Sequence, residues 1–159
     1  MILNNYMLAC RLGTIKDIGG SNRTAGQTTL IVSNTAGGYY GLSNAGGWVD
    51  VGYDDGTNYP LAADNYKLGD SNSYGGTQVG ALTWVSTAFV NTNPYLKCYT
   101  TVYRNDGSDD VTVKELGILG KNGTTGNYNS TFLVARKILA TPVVVPAGAT
   151  VAFTYGIKV

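Results

Sequence analysis

Few residues in this chain have the type and spacing for chemistry. There is no His, so a Ser-His-Asp triad, a Cys-His pair and a His-ligated metal are all excluded. Glu115 is the single glutamate and sits in an otherwise apolar stretch, as does Arg136. A lone carboxylate could act as acid or base. Local spacing places no second acid beside it, as glycoside hydrolysis would need, so a structural ion pair is the expected role. No catalytic residue and no metal ligand is assigned.

Asp54-Asp55-Gly56-Thr57-Asn58 and Asp106-Gly107-Ser108-Asp109-Asp110 resemble fragments of calcium loops. Neither has the full spacing with a terminal bidentate glutamate. Asp, Asn and Gly also build ordinary turns, and turns are the expectation. Cys10 and Cys98 form no CxxC; they are either free core thiols or one disulfide, and spacing does not decide. No cofactor is implied. The triplets beginning at Asn22, Asn122 and Asn129 match the glycosylation pattern and are read as surface loops.

Tyr39, Tyr40, Trp48, Tyr53, Tyr59, Tyr66 and Tyr74 crowd the first half. Tyrosines give large contact area at low entropic cost and are common in interfaces and sugar sites. Tyr39, Tyr40, Tyr53, Tyr59 and Tyr66 are the candidate interface; the alternative is that they fill a core. They are expected to serve packing or a partner surface, not catalysis.

The elements that must carry these residues are strands. Charged residues make up 13% of the 159, against about 25% in an average soluble domain. Gly at 22, Thr at 19, Asn at 14 and Tyr at 12 are the vocabulary of strands and turns. A net charge of +1 without a basic run argues against nucleic acid as a main partner. No stretch of about 18 apolar residues offers a membrane span, and no standard secretory signal is visible at the N-terminus.

Alternation and turn signals predict strands over Tyr6–Leu12, Thr28–Ser33, Trp48–Tyr53, Gln78–Val90 (one long or two with a bend), Tyr95–Arg104, Val111–Leu119, Thr131–Leu139, Pro142–Val145 and Thr150–Val159. A polar turn spans Gly19–Arg23. Regular structure fades between Asp54 and Gly76, where Pro60–Leu68 forms an extended lid or one short helical turn. Strands this short and this regularly spaced predict a single all-β domain over 1–159. It is an antiparallel β-sandwich, jelly-roll-like in character, loop-rich over 1–76 and regular over 77–159. Taking Val111–Leu119 and Thr131–Leu139 as a hairpin, pairing Gly120 with Thr131 puts Glu115 directly opposite Arg136 and Lys114 opposite Lys137. Val113, Gly117, Val134 and Ile138 then share the face of the ion pair.

One ordered set of segments comprises Val111-Thr112-Val113-Lys114-Glu115-Leu116-Gly117-Ile118-Leu119, then Leu133-Val134-Ala135-Arg136-Lys137-Ile138-Leu139, then Pro142-Val143-Val144-Val145-Pro146-Ala147-Gly148, and a closing strand to Val159 with Tyr155. This order is similar to a pattern in virion proteins of tailed bacteriophages. Upstream, Val51-Gly52-Tyr53 and Asp64-Asn65-Tyr66-Lys67-Leu68 resemble that family's glycine turn and D-Y-x-L element, with Asn65 interrupting the Asp-Tyr pair. The resemblance covers Val51 to the C-terminus. It implies a structural protein of a phage particle, located in the virion and with no catalytic residues to carry over. The first expectation is a capsid decoration protein or head-fibre base contacting other virion proteins, such as the major capsid protein. The alternative is a tail or tail-fibre component that binds a host receptor or glycan. Long apolar strands with few edge charges predict a homo-oligomer, a trimer in the first instance, or a monomer docked on virion proteins.

Overall fold

The computed structural model describes residues 14–16, 19, 22–24, 47–74, 77–78, 80–93, 96–122 and 130–158. The strands expected at Tyr6–Leu12 and Thr28–Ser33, together with Cys10, Tyr39 and Tyr40, lie outside these residues. Ten strands are seen: β1 (Thr14–Lys16), β2 (Asn22–Thr24), β3 (Gly47–Gly52), β4 (Ser73–Tyr74), β5 (Thr77–Gln78), β6 (Thr83–Asn93), β7 (Leu96–Arg104), β8 (Val111–Asn122), β9 (Ser130–Val145) and β10 (Thr150–Lys158). Among the described residues there is no helix. Two three-stranded antiparallel sheets, ordered β3-β8-β9 and β10-β7-β6, form the body; β1-β2 and β4-β5 are small two-stranded ribbons.

Several boundaries differ from the sequence expectation. Asn22 and Arg23 belong to β2, not to a turn, and Asn122 ends β8. The two segments expected at Thr131–Leu139 and Pro142–Val145 are one strand, β9. Pro142 is tolerated there because β9 is an edge strand. The stretch Gln78–Val90 divides into β5 and β6, and β6 carries a register shift between Trp84 and Ser86.

Alternation fixes which face of each strand turns inward. On β7, Tyr99, Thr101 and Tyr103 are buried. They share one core with Val49, Val51, Val113, Ile118, Phe132, Val134 and Val145 of the other sheet and Phe153 of β10. Thr101 and Tyr103 are polar at the tip, and both tips have partners. Thr101 Oγ1 accepts the Val49 N–H at 2.9 Å, and the Tyr103 hydroxyl donates to the Val49 carbonyl at 2.8 Å. These bonds satisfy backbone groups on the free edge of β3, where the ladder of its own sheet ends.

The chain passes between the sheets through two turns, 105–110 and 146–149. Asn105 ties them together: its N–H donates to the Ala149 carbonyl and its own carbonyl accepts from Gly148, while Nδ2 donates to Asp109 O and Val145 O at 2.8 and 3.0 Å. Gly148 has φ +74°, a left-handed conformation that favours glycine.

The long connection Tyr53–Asn72 folds back as a strap over the outer face of β3-β8-β9. Its ends are stitched to the edge of β3. Tyr53 N–H donates to Asp70 O and Asn72 N–H to Val51 O, and Gly52 bridges Ser71. The strap contains turns but neither of the alternatives foresaw its anchoring: Pro60–Leu68 is a lid without a helical turn.

Candidate functional site

The outer face of β3-β8-β9 is built from side chains alternate to those of the core. Trp48, Leu119 and Leu133 form an apolar floor that receives Leu68 of the strap. Beside that floor lie Glu115 and Arg136, both with fully buried side chains. Arg136 Nε donates to Glu115 Oε2 at 2.7 Å. Each partner also reaches the strap. Arg136 Nη1 donates to Asn65 Oδ1 at 2.8 Å and to the Pro60 carbonyl at 3.3 Å, and the Tyr59 ring covers its guanidinium, 4.7 Å from Cζ to the ring centre. Glu115 Oε1 accepts the Asp70 N–H at 3.1 Å. Asn65 Oδ1 also accepts the Ala62 N–H at 2.9 Å.

The register differs from the expectation and must be corrected. Arg136 pairs with Gly117, and Glu115 pairs with Ile138. The ion pair is therefore diagonal, two residue pairs apart along the ladder and neighbours on the same face. Two irregularities shift the count, one between Val113 and Glu115 and one between Ile118 and Leu119. The first places Lys114 opposite the excursion 139–142 of β9, so Lys114 does not face Lys137, which pairs with Leu116. It also turns Val113 into the core, where Val134 lies too; of the four neighbours expected on that face, Gly117 and Ile138 remain. Gly117 has a steric reason to be glycine: a Cβ there would stand 2.7 Å from Leu133 Cδ1 and 2.8 Å from Leu68 Cδ2.

Burial pushes the Glu115 carboxyl above its ordinary value. The Asp70 backbone N–H, then Arg136, pull it back without cancelling the rise. Two neighbouring acids are equally enclosed. Asp50, on β3, is buried and accepts from Ser71 Oγ at 2.6 Å. Asp54 accepts the Gly56 N–H at 2.8 Å, and Gly56 has φ +92°. The Asp54-Asp55-Gly56 segment is thus a turn closed by its own carboxylates, since Asp55 likewise accepts from Thr57 N–H at 3.0 Å. Asp106-Gly107 is a turn as well, capped by Asn105 Oδ1. Among the described residues no group of His, Cys, Asp and Glu could hold a metal ion.

A second polar hub was not foreseen from the sequence. Asn72 is buried, with 1% exposure. Its Nδ2 donates to Leu82 O at 2.9 Å, and its Oδ1 accepts from Leu82 N–H at 3.0 Å and from the Tyr53 hydroxyl at 2.5 Å. Burial, first of all, pushes the Tyr53 phenol up to about 12, so it donates as a neutral hydroxyl. Of the five candidate interface tyrosines, Tyr39 and Tyr40 lie outside the described residues. Tyr53, Tyr59 and Tyr66 are each half-buried in or beside the strap. Cys98, on β7, is free and half-buried.

Taken together, the groups able to do acid–base chemistry on this face are the groups that hold the strap down. Comparison with family models, with curated proteins and with solved structures returns no match for this chain.

Proposed function

We propose that the protein is a non-catalytic structural component of a bacteriophage particle, acting by protein–protein contact as a capsid decoration or head-fibre base protein. One observation carries the non-catalytic part. Glu115 and Arg136, the pair of opposite charges that sequence reasoning singled out, are fully buried and bonded to each other and to the strap, with no side-chain surface left for a substrate. The resemblance of Val51 to the C-terminus to virion proteins supplies the particle. The reading extends to the fold. Turns 105–110 and 146–149 carry the chain from one sheet to the other, and side chains of both sheets share one core. This supports a β-sandwich of jelly-roll character.

A second reading has its own support. Leu61 is 39% exposed at the crest of the strap, between half-buried Tyr59 and Tyr66. Such a surface suits a tail component that grips a host receptor or glycan.

Quantitative mass spectrometry of purified particles tests the proposal. Decoration requires copies in the hundreds, whereas a tail component is present in a few to a few dozen copies. Absence from the particle overturns both readings. A glycan array then separates receptor binding from scaffolding, and hydrolytic activity lost in Tyr59→Ala reopens the enzyme class.

A further inference from the structure

Each three-stranded sheet has two edges, and three of the four carry a feature that keeps a further strand away. The strap is stitched to the edge of β3 through Tyr53, Asn72 and the Gly52–Ser71 bridge. The edge of β9 is broken by the excursion 139–142, which contains Pro142 and so lacks an amide donor. β6 carries two irregularities, between Trp84 and Ser86 and between Asn91 and Asn93. β10 has none of these. It pairs with β7 without a shift from Thr150 to Lys158 and holds no proline. Among the described residues no strand lies on its other side.

A regular free edge is a row of backbone donors and acceptors spaced for one kind of occupant, another extended chain. Charge does not guard this one. Residues 150–156 are uncharged, and the one charged residue of the strand, Lys158, is its last. Ala152, Thr154 and Gly156 are exposed on the outer face. On the inner face Phe153 is buried, while Val151 and Tyr155 pack against the core and stay partly open.

We propose that β10 is the contact with a second copy of this chain. Two β10 strands pair antiparallel across a two-fold axis and join the β10-β7-β6 sheets of both copies into one continuous sheet. The axis that lets the whole strand pair passes through Thr154, its middle residue. That register sets Thr154 against its own copy and Ala152 against Gly156, so small side chains meet on the outer face. On the inner face it sets Phe153 against Tyr155 twice, once on each side of the axis. Aromatic pairs directly opposed across strands are stabilising, and these add apolar cover to Tyr155, which the core of one copy leaves partly open. The strand spans an edge about 30 Å long. With side chains of both faces, the two copies together cover about 1,000 Å², the least that a specific interface needs. A contact of one surface with itself is isologous and closes at two copies, unlike the trimer expected from the sequence. The inference stands apart from the particle reading, because the isolated chain suffices to test it.

Sedimentation of the purified chain reads the contact. A dimer is expected at about 0.1 mM, as suits a contact at the small end of the specific range. Exchange of the β10 amides should slow as the dimer fills. Ala152→Lys with Thr154→Lys crowds like charges around the axis and is expected to weaken the dimer about tenfold. Ala152→Glu with Thr154→Glu is expected to do the same. Mixed in equal amounts the two variants regain the dimer, because opposite charges then face each other across the axis, and that recovery also shows both to be folded. A wild-type monomer at that concentration, an assembly larger than two, a dimer indifferent to the charged variants, or a mixture that fails to recover overturns the proposal. So does a monomer whose β10 amides are already protected along the free edge, since another segment of the same chain then occupies it.

Discussion

The two sheets turn very different outer faces to their surroundings. On β3-β8-β9 the outer face carries Asp50, Glu115 and Arg136, all with 0% exposure. On β10-β7-β6 it carries small residues, among them exposed Ala88, Ala152, Thr154 and Gly156, with Thr100 and Thr154 sharing a hydroxyl–hydroxyl bond of 2.7 Å at the surface. The difference lies in the strap. A sheet face without cover keeps water as the partner of its polar groups, so short hydroxyls suffice. A covered face must supply partners from protein, and a buried charge needs both a counter-charge and hydrogen bonds for its remaining donors and acceptors. Glu115, Arg136, Asn65 and the strap carbonyls and N–H groups meet that requirement together.

Breaking the covered face at its charge should have the largest effect. Arg136→Ala leaves Glu115 buried without its counter-charge and removes the donor to Asn65 and Pro60. The expected loss is about 3–5 kcal/mol, measured by chemical denaturation, with hydrogen exchange of the strap amides, Asp70 among them, rising ahead of core amides. Asn72→Ala removes the side-chain partner of the Leu82 N–H and carbonyl and of the Tyr53 hydroxyl. A loss of about 1–3 kcal/mol is expected, together with an earlier alkaline titration of Tyr53 in the ultraviolet. Gly117→Val forces a side chain between Leu68 and Leu133, and overpacking of this kind costs about 1–3 kcal/mol. The test is whether protection is lost in the strap and kept in β7.

The pH dependence sharpens the comparison. The Glu115 carboxyl has its pKa raised in the folded chain, so the native state holds that proton more tightly than the unfolded one. Its contribution is fully present below the ordinary glutamate range and is lost as pH rises through the folded pKa. Asp55 and Asp106 are lowered instead, by Thr57 and by Arg104 respectively, and contribute with the opposite sign. Both remain in a Glu115→Gln chain and cancel in the difference. The stability gap between wild type and Glu115→Gln should therefore widen on acidification and narrow as pH rises; a gap independent of pH would contradict the assignment. On the open face the smallest effect is expected. Thr154→Val removes only the surface bond to Thr100 and should change the melting behaviour by no more than about 0.5 kcal/mol.

Much of this architecture was legible from alternation alone. β7 declared its two faces through Tyr99, Thr101 and Tyr103, and Glu115 and Arg136 stood out as charges in apolar strands. The register was not legible. It depends on irregularities between Val113 and Glu115 and between Ile118 and Leu119; Pro142 sits in the first, in the excursion 139–142 of β9, as a proline at a bulge does, but no residue type marks the second. The asparagine hubs were hidden by composition, since Asn also marks turns. Asn65 is instructive. In the sequence it interrupts an Asp-Tyr pair; in the structure it is the side chain that Arg136 grips. A buried Asn inside a long connection acts through partners far away in sequence, and local pattern does not reveal them.

Glu115 and Arg136 act as one structural unit holding the strap to the sheet. A double-mutant cycle with Glu115→Gln and Arg136→Met, measured by equilibrium denaturation at neutral pH, tests it most directly. A coupling of about 1–3 kcal/mol is expected, as residues of one buried network show. Each single variant is expected to loosen the strap as much as the pair does. A coupling near zero, with strap amides as protected in the double variant as in wild type, would contradict it.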